Sequence, residues 1–289
     1  MRTELDNPEH AANPALYAES LTKFFNTQQH AIVAYSGGVD SALLAYAAHR
    51  ALEDAMVAVL ADSPSLSRRE YRQAIDFTQT HGIPLQIIRT REMDNPAYQV
   101  NRADRCYHCK KTLFEKIESL RRQLQDSTGM EEPWPVSYGV NVDDLGDYRP
   151  GIQAAREASI QAPYVELGFT KQTIREVCAY YELKVADKPA MPCMASRIAY
   201  GQEVNEKKLS QVEKAEDILY DLGFRVLRVR HHGDIARIEV PAEEIAPLIT
   251  RRIEIINKFH ELGFLYVSLD LDGFKSGSLN AALEPATTR

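Results

Sequence analysis

The chain has 289 residues, 44% of them hydrophobic, and a formal net charge of −7. This length allows one large domain or two of ordinary size, each with its own core. The negative charge argues against a protein that coats nucleic acid, and no apolar run is long enough to span a bilayer. The first twenty residues are polar and acidic, unlike a signal peptide, so we expect a cytoplasmic chain with reduced cysteines and no membrane partner.

Apolar strands alternate with helical segments in the first two thirds of the chain. The predicted strands are 31–35, 55–62, 85–90, 134–140 and 164–167, and the predicted helices are 41–52, 67–81, 109–125, 151–159 and 170–183. This alternation is typical of an α/β domain with a doubly wound, mostly parallel sheet. We predict such a domain over residues 1–197.

The pattern changes after residue 197. A helix over 206–223 leads to two strands around His232-Gly233-Asp234, and a helix over 242–263 leads to a last strand within 264–273. The order α-β-β-α-β predicts a second, small α+β domain over 198–289.

A small-residue loop follows the first predicted strand. It reads Ser36-Gly37-Gly38-Val39-Asp40-Ser41. Glycines let the backbone approach a ligand closely, and the start of the following helix supplies N–H donors and partial positive charge. Serine hydroxyls add donors, and Asp40 has the chemistry to hold a metal ion or cap the helix. The segment lacks the Gly-Lys-Ser/Thr of a Walker loop and the spacing of a dinucleotide fingerprint. It predicts a phosphate site; the alternative is an ordinary capped turn.

The loop resembles the SGGxDS pyrophosphate loop of the ATP pyrophosphatase superfamily. In those enzymes a substrate oxygen attacks the α-phosphate of ATP, giving an adenylate and pyrophosphate. The resemblance implies that ATP binds with Mg²⁺ and that Ser36 and Asp40 take part in catalysis. It also implies further nucleotide contacts at Gly37, Gly38, Ser41, Ala61, Ser63, Gly139, Asp143 and Arg149.

Acidic residues follow Gly139 in the stretch "NVDDLGDYRPG". In the superfamily this loop lies near the nucleotide and helps to hold magnesium, which would involve Asn141, Asp143, Asp144 and Asp147. The alternative is a solvated acidic turn.

Three of the four cysteines have notable positions. Cys106 and Cys109 form a C-x-x-C pair that opens a predicted helix, and Cys193 follows Pro192 near the domain boundary. The alternative for the pair is half of a zinc knuckle completed by His108 or His81. Cys178 shares a helical face with apolar residues and is predicted to be a buried core thiol.

Five stretches together resemble the LarE family over residues 17–280. They are "SGGVDSALLAYAA", "RCYHCKKTLF", "NVDDLGDYRPG", "KPAMPCMASRIAYG" and "VSLDLDGFKSGSLN". The resemblance implies an ATP-dependent sulfur transferase that adenylates a carboxylate of pyridinium-3,5-biscarboxylic acid mononucleotide and converts it to a thiocarboxylate. The product serves the nickel-pincer nucleotide cofactor of lactate racemase. A homo-oligomer is a family expectation.

The family has two sulfur sources. In one, three cysteines hold a 4Fe–4S cluster whose unique iron carries a sulfide; in the other, a single cysteine gives up its own sulfur and becomes dehydroalanine. Cys106, Cys109 and Cys193 match the three-cysteine pattern, and three thiolates leave one iron without a protein ligand. We therefore favour the cluster and keep the sacrificial Cys193 as the alternative.

Basic residues are expected to hold the anionic groups of the substrate. The predicted contacts are Arg105, Ser196, Arg197, Arg228 and Arg230. The alternative for each arginine is an ordinary salt bridge with glutamate. For Ser196 the alternative is a helix cap. Glu213, Glu216 and Asp217 are predicted to lie on a solvated helix face, and the alternative is contact with the substrate or a metal ion.

Three other functions compete with this interpretation. A tRNA thiolase of the same superfamily is disfavoured by the acidic balance and the lack of an aromatic, basic RNA platform. An amidating synthetase would leave the cysteines without a role. A nucleotide-binding zinc protein would show no pyrophosphate release that depends on ATP and substrate.

Overall fold

The structure is a computed structural model that describes residues 13–129, 131–146, 149–189 and 191–275. Contacts divide these residues into two compact units. The first contains 13–63, 68–92 and 106–191, and the second contains 64–67, 93–105 and 192–275. Two short segments from the first two thirds of the sequence thus belong to the second unit. The domain boundary after residue 197 stays a prediction.

A four-stranded parallel sheet forms the centre of the first unit. Its strands are β1 (Ala31–Tyr35), β2 (Met56–Asp62), β3 (Leu85–Arg89) and β4 (Val136–Tyr138), in the spatial order β3-β2-β1-β4. The helices up to residue 180 are α1 (Pro14–Asn26), α2 (Val39–Leu52), α3 (Arg68–Thr80), α4 (Pro96–Gln99), α5 (Arg105–Thr128), α6 (Pro150–Glu157), α7 (Pro163–Glu166) and α8 (Lys171–Tyr180). Of these, α4 lies in the second unit. The parallel sheet with its flanking helices confirms the predicted α/β fold.

Side chains of β1 alternate between the two faces of this sheet. Ile32 and Ala34 pack in a buried cluster with Phe114 and Ile117 of α5. On the other side α2 packs against α1 and α8, and its alanine- and leucine-rich sequence is buried over most of its length. All five residues of β1 are buried, so the loop that follows β1 starts from a fixed point.

One predicted strand is wrong. Residues 163–166 form α7, and extended pairing with β4 is limited to one bridge between Ser137 and Gln161. Pro163 lacks the N–H that would continue the ladder, and its fixed φ suits the first position of a helix. Gly168, with φ of 74°, then ends the short helix.

Two helix predictions also differ from the structure. Helix α5 begins at Arg105, four residues before the predicted start, so Cys106 and Cys109 are its second and fifth residues. Helix α1 was not predicted; its N-cap is Asn13, whose side chain accepts a hydrogen bond from the Ala15 amide, with Pro14 next to it.

The second unit has a three-stranded sheet. It contains α9 (Glu206–Asp221), β5 (Arg228–His232), β6 (Ile235–Glu239), α10 (Ile245–Thr250), α11 (Arg252–Glu261) and β7 (Tyr266–Leu269). Strand β6 is central, antiparallel to β5 and parallel to β7. This is the predicted α-β-β-α-β order, except that the helix over 242–263 is a 3₁₀ turn followed by α10 and α11.

No helix within the described ranges combines the length and apolar character needed to cross a membrane.

Candidate functional site

Residues 36–41, here called the phosphate loop, join β1 to α2 at the carboxyl edge of the parallel sheet, where ligands bind in such folds. Gly37 has φ of 75°, and a Cβ there would lie 2.7 Å from Cβ of Ala74 in α3. Gly38 is the N-cap of α2 and gives the helix no side-chain cap. The first N–H groups of a helix have no intrahelical acceptor. The loop therefore has the geometry of an anion site.

Two serine hydroxyls stabilise the loop from within. Oγ of Ser41 accepts from the Ser36 amide at 3.1 Å and donates to the Gly38 carbonyl at 3.1 Å. Oγ of Ser36 lies 3.1 Å from the same oxygen. Ser41 is buried and Ser36 is exposed. Ser41 thus shapes the loop, and Ser36 is the hydroxyl that a ligand can reach.

Asp40 lies in the first turn of α2 and is held by groups from distant parts of the chain. Its Oδ2 is 2.5 Å from Nζ of Lys171, and its Oδ1 accepts from Nδ2 of Asn141 at 3.5 Å. The hydroxyl of Tyr164 donates to the Asp40 main-chain carbonyl at 2.8 Å. The carboxylate is only partly buried, so it remains accessible to a metal ion or a ligand.

A second lysine approaches the phosphate loop. Nζ of Lys188 donates to the Gly37 carbonyl at 3.0 Å and forms a salt bridge of 2.7 Å with Glu70. Both side chains of this pair are 13% exposed. Two ammonium groups therefore lie at the loop, and the sequence interpretation included neither of them.

One local signal could have identified Lys171. It is the first residue of α8, where the positive end of the helix dipole disfavours a cation. A lysine at this position suggests a counter-ion elsewhere, here Asp40. No comparable signal marks Lys188, whose acceptor lies 151 residues away in the sequence.

The loop after β4 packs directly on the phosphate loop. A Cβ at Gly139 would lie 3.0 Å from the Ser41 amide nitrogen and 3.1 Å from Cβ of Asp40. Any larger residue would press on α2 here, and this close approach accompanies the contact between Asn141 and Asp40.

The two carboxylates that follow Asn141, those of Asp143 and Asp144, are already bonded within the protein. Asp143 accepts from the Lys171 amide at 2.7 Å, and Asp144 forms a 2.7 Å salt bridge with Arg149. Asp147 lies outside the described residues.

Ala61 and Ser63, the predicted adenosine contacts, lie at the end of β2. Ala61 pairs in register with Ile88 of β3, and the buried hydroxyl of Ser63 donates to the buried carboxylate of Glu92. Arg68 bonds to Asp62 at 2.7 Å and to the Ser63 carbonyl at 3.0 Å. These contacts fix the chain at this edge of the sheet; contact with adenosine stays a prediction.

The four thiols differ sharply in exposure. Cys106 and Cys193 are exposed, Cys109 is intermediate and Cys178 is buried. Burial, and to a smaller extent the charge of Asp40, raise the pKa of the Cys178 thiol to about 12. Such a thiol is inert at neutral pH, in agreement with the predicted core role.

Cys106 and Cys109 are three residues apart on α5 and so share one face near its start. His81, one of two suggested zinc partners, packs against the rings of Phe77 and Tyr46, and burial lowers its pKa. The described residues contain no group of three His, Cys, Asp or Glu side chains that could hold a metal ion.

Residues 192–197 of the second unit, here called the cysteine turn, contain Cys193 as the N-cap of a 3₁₀ turn, Met194–Arg197. The Arg197 side chain is fully buried and forms a bidentate pair with Glu216, at 2.9 and 3.1 Å. Burial opposes its charge, but Glu216 raises the pKa of Arg197 above its ordinary value. Glu216 was predicted on a solvated helix face; this is wrong, because Glu216 is 3% exposed.

The other predicted substrate arginines are also buried. Arg230 forms a bidentate pair with Glu239, at 3.0 and 2.8 Å. Arg105 donates to Oδ1 of Asn101. Arg228 packs over the ring of Phe274 at 5.1 Å, and burial and the nearby charge of Arg197 lower its pKa to about 10.

Comparisons with known proteins agree with this geometry. The NAD synthase family model matches residues 19–116, which include the phosphate loop. The chain is 42% identical to an uncharacterized protein of Synechocystis, over 92% of this chain and 97% of that protein. It is 31% identical to the pyridinium-3,5-bisthiocarboxylic acid mononucleotide synthase of Lactiplantibacillus plantarum, over 89% and 91% of the two chains. An uncharacterized protein of Methanocaldococcus jannaschii is 28% identical, over 85% and 90%. The chain therefore belongs to the LarE family of ATP-using enzymes with a pyrophosphate loop.

Proposed function

We propose that this chain is an ATP-dependent sulfur transferase. It adenylates a carboxylate of pyridinium-3,5-biscarboxylic acid mononucleotide and replaces the adenylate with sulfur, in the synthesis of the nickel-pincer cofactor of lactate racemase. The observation that carries the proposal is the phosphate loop with Lys171 and Lys188 against it, in a chain whose relative is named for the bisthiocarboxylic acid product.

The first half-reaction uses the phosphate loop. A carboxylate oxygen of the substrate attacks the α-phosphorus of ATP, and the bond to the pyrophosphate oxygen breaks. Loop N–H groups, the Ser36 hydroxyl and the two lysines stabilise the charge that develops on the leaving pyrophosphate. Adenylation replaces a poor leaving group on the carboxylate with AMP.

Asp40 is the residue that would hold Mg²⁺. This ion commonly uses one or two carboxylates and completes its shell with substrate phosphates and water. A site of that kind fits Asp40 and needs no group of three protein ligands, of which the described residues contain none. When bound, the ion neutralises phosphate charge.

The second half-reaction uses Cys193. A sulfur nucleophile attacks the carbonyl carbon of the acyl adenylate, and AMP leaves. In the sacrificial route this nucleophile is Sγ of Cys193. Loss of the Cα proton to a base, with cleavage of the Cβ–S bond, then leaves the sulfur on the substrate and dehydroalanine in the chain. The exposure of Cys193 suits this role.

A 4Fe–4S cluster on Cys106, Cys109 and Cys193 is the other source of sulfur, and the one that the cysteine spacing favours. The described residues contain no group of three side chains that could hold a metal ion, so the support for this source is the cysteine spacing alone. Iron and acid-labile sulfide per chain, measured on protein purified without oxygen, decide between the two sources.

The anionic groups of the substrate require cations, and Arg228 is the candidate that the electrostatics support best. Burial and the neighbouring charge of Arg197 disfavour its protonated form, so an anion beside Arg228 would relieve this repulsion. Ser196, which follows Cys193 by three residues, adds a hydroxyl.

The test measures pyrophosphate release and thiocarboxylate formation separately. We expect wild-type protein to release pyrophosphate only when ATP and the biscarboxylate are both present. Cys193→Ser should retain this release and form no thiocarboxylate, while Cys178→Ser should retain both. Release that does not need the biscarboxylate, or thiolation of RNA instead, would overturn the proposal.

A further inference from the structure

The main-chain carbonyls of the cysteine turn are held by arginines. Nη1 of Arg197 donates to the Pro192 carbonyl at 2.5 Å and to the Cys193 carbonyl at 3.3 Å. The next two contacts come from different parts of the second unit: Arg105 donates to the Ala195 carbonyl at 2.9 Å, and Arg230 to the Ser196 carbonyl at 2.9 Å.

The N–H groups of the turn are fixed as well. The Met194 amide donates to the Ser65 carbonyl at 2.8 Å, and the Ser196 amide donates back to the Cys193 carbonyl at 2.9 Å. The backbone on both sides of Cys193 is therefore anchored, while its thiol is exposed.

Each of the three arginines is itself immobilised. Arg197 and Arg230 form bidentate pairs with Glu216 and Glu239, and Arg105 bonds to Asn101, which is fully buried. The three arginines are between 0% and 6% exposed. All three nitrogens of the Arg197 guanidinium are already bonded within the protein. An arginine whose guanidinium nitrogens are all bonded within the protein is poorly placed to bind a substrate anion.

We propose that Arg105, Arg197 and Arg230 are positioning residues that hold the cysteine turn in one conformation and so fix the direction of the Cys193 thiol. The role of Cys193 in sulfur transfer rests on the proposed function; the rigidity of the turn does not. Misplacing a reacting group by about 1 Å can reduce a rate by about 100-fold, so a small movement of the turn matters.

Arg105 offers the cleanest test, because removal of Arg197 or Arg230 also leaves a buried glutamate without its partner. Arg105→Lys keeps the positive charge but loses the planar donor group that serves Asn101 and the Ala195 carbonyl. Arg105→Met removes both charge and donors. Arg102→Met is the matched control, since Arg102 lies in the same segment and is exposed.

The functional readout separates positioning from substrate binding. For Arg105→Lys we expect pyrophosphate release and KM for the biscarboxylate to change by less than about threefold, while thiocarboxylate formed per pyrophosphate falls at least about tenfold. Arg102→Met should behave as wild type. A large rise in KM with an unchanged yield would instead make Arg105 a substrate contact and overturn the proposal.

Hydrogen exchange gives a readout that does not need the reaction. The amides of Met194, Ser196 and Ile198 should exchange at least about tenfold faster in Arg105→Lys and Arg105→Met, with core strands β1 and β2 unchanged. Unchanged exchange at these amides would refute the positioning role. Faster exchange in a protein that never releases pyrophosphate would support positioning and reject the proposed function.

Discussion

The phosphate loop and the cysteine turn are built by opposite means. In the phosphate loop, glycine conformation and the start of α2 direct N–H donors outward, and lysines are added at the edge. In the cysteine turn, side-chain donors point inward and satisfy the carbonyls, so that one thiol remains exposed. A site for an anion thus depends on its backbone, whereas a site that presents one reactive atom depends on the side chains around it.

The largest effect is expected from Gly37→Ala. The new Cβ would clash with Ala74, and alanine disfavours the positive φ, so the loop must move. Loss of oriented donors at a developing oxyanion costs about 100- to 1000-fold, and pyrophosphate release should fall by this order.

Gly168→Ala is the control for Gly37→Ala. Gly168 has nearly the same φ, but an added Cβ there meets no atom within 4 Å. It should lose about 1 kcal/mol of stability and little activity. Equal losses of pyrophosphate release in Gly37→Ala and Gly168→Ala would show that backbone strain, and not the contact with Ala74 of α3, causes the effect at Gly37.

Lys188→Met should destabilise the first unit as well as the loop. It removes the lysine partner of the mostly buried Glu70 carboxylate and the donor to the Gly37 carbonyl, and the expected loss is about 3 kcal/mol in the free energy of unfolding. Chemical denaturation measures this loss. The double variant Lys188→Met/Glu70→Gln should recover most of the stability but not the pyrophosphate release. Recovery of both would make the pair purely structural.

Lys171→Met tests the second ammonium group. Its loss leaves Asp40 without a partner 2.5 Å away and removes a positive charge from the phosphate site. We expect kcat/KM for pyrophosphate release to fall about 10- to 100-fold, with little change in stability because both side chains are partly exposed. Lys184→Met, at an exposed lysine of the same unit, is the control.

The sequence predicts the strand, turn and helix around residues 36–41 because every part of that segment is local. Glycine at two adjacent positions, serines on either side and an apolar strand before them indicate the turn without reference to the rest of the chain, and the binding of an anion there stays a prediction. The α/β order is predicted for the same reason, since strand and helix periodicities are short. The helix at residues 163–166 was mispredicted as a strand, because a short apolar run is compatible with either a strand or one helical turn.

The partners of charged side chains are not local and were not predicted. Lys171 and Asp40 are 131 residues apart in the sequence, and Arg105 and Ala195 are 90 apart. Glu216 looks like a surface glutamate on an amphipathic helix, and only the tertiary fold shows that it binds both a buried arginine and the Val229 amide. Composition gives the number of charges, but pairing requires the fold.

A change of pH should act on the cysteine turn through His231. Its main chain bridges to Ile198, just after the turn, and burial lowers the pKa of its imidazole from 6.5 to about 4. The unfolded state therefore binds the proton first as the pH falls. The free energy of unfolding should decrease between pH 6.5 and about 4, by an order of 1–3 kcal/mol.

His231→Gln is the variant that isolates this effect. Thermal unfolding from pH 7 to pH 5 should show a smaller loss of stability in His231→Gln than in wild type. The loss should not vanish, because burial also lowers the pKa of His232 and His81. If wild type and His231→Gln lose the same stability between pH 7 and pH 5, His231 is not the acid-sensitive group beside the turn.

The smallest effect is expected at Cys178, the thiol that neither region uses. With a pKa of about 12 and no exposed surface, it should resist alkylation at pH 8 while Cys106 and Cys193 react. Cys178→Ala should change pyrophosphate release by less than about twofold and destabilise the fold by about 1 kcal/mol through the small cavity it leaves. Peptide mass spectrometry after timed alkylation gives the rate at each thiol. Rapid modification of Cys178 would mean that α8 opens readily, and because Lys171 begins that helix, the contact between Lys171 and Asp40 would then not be held in place.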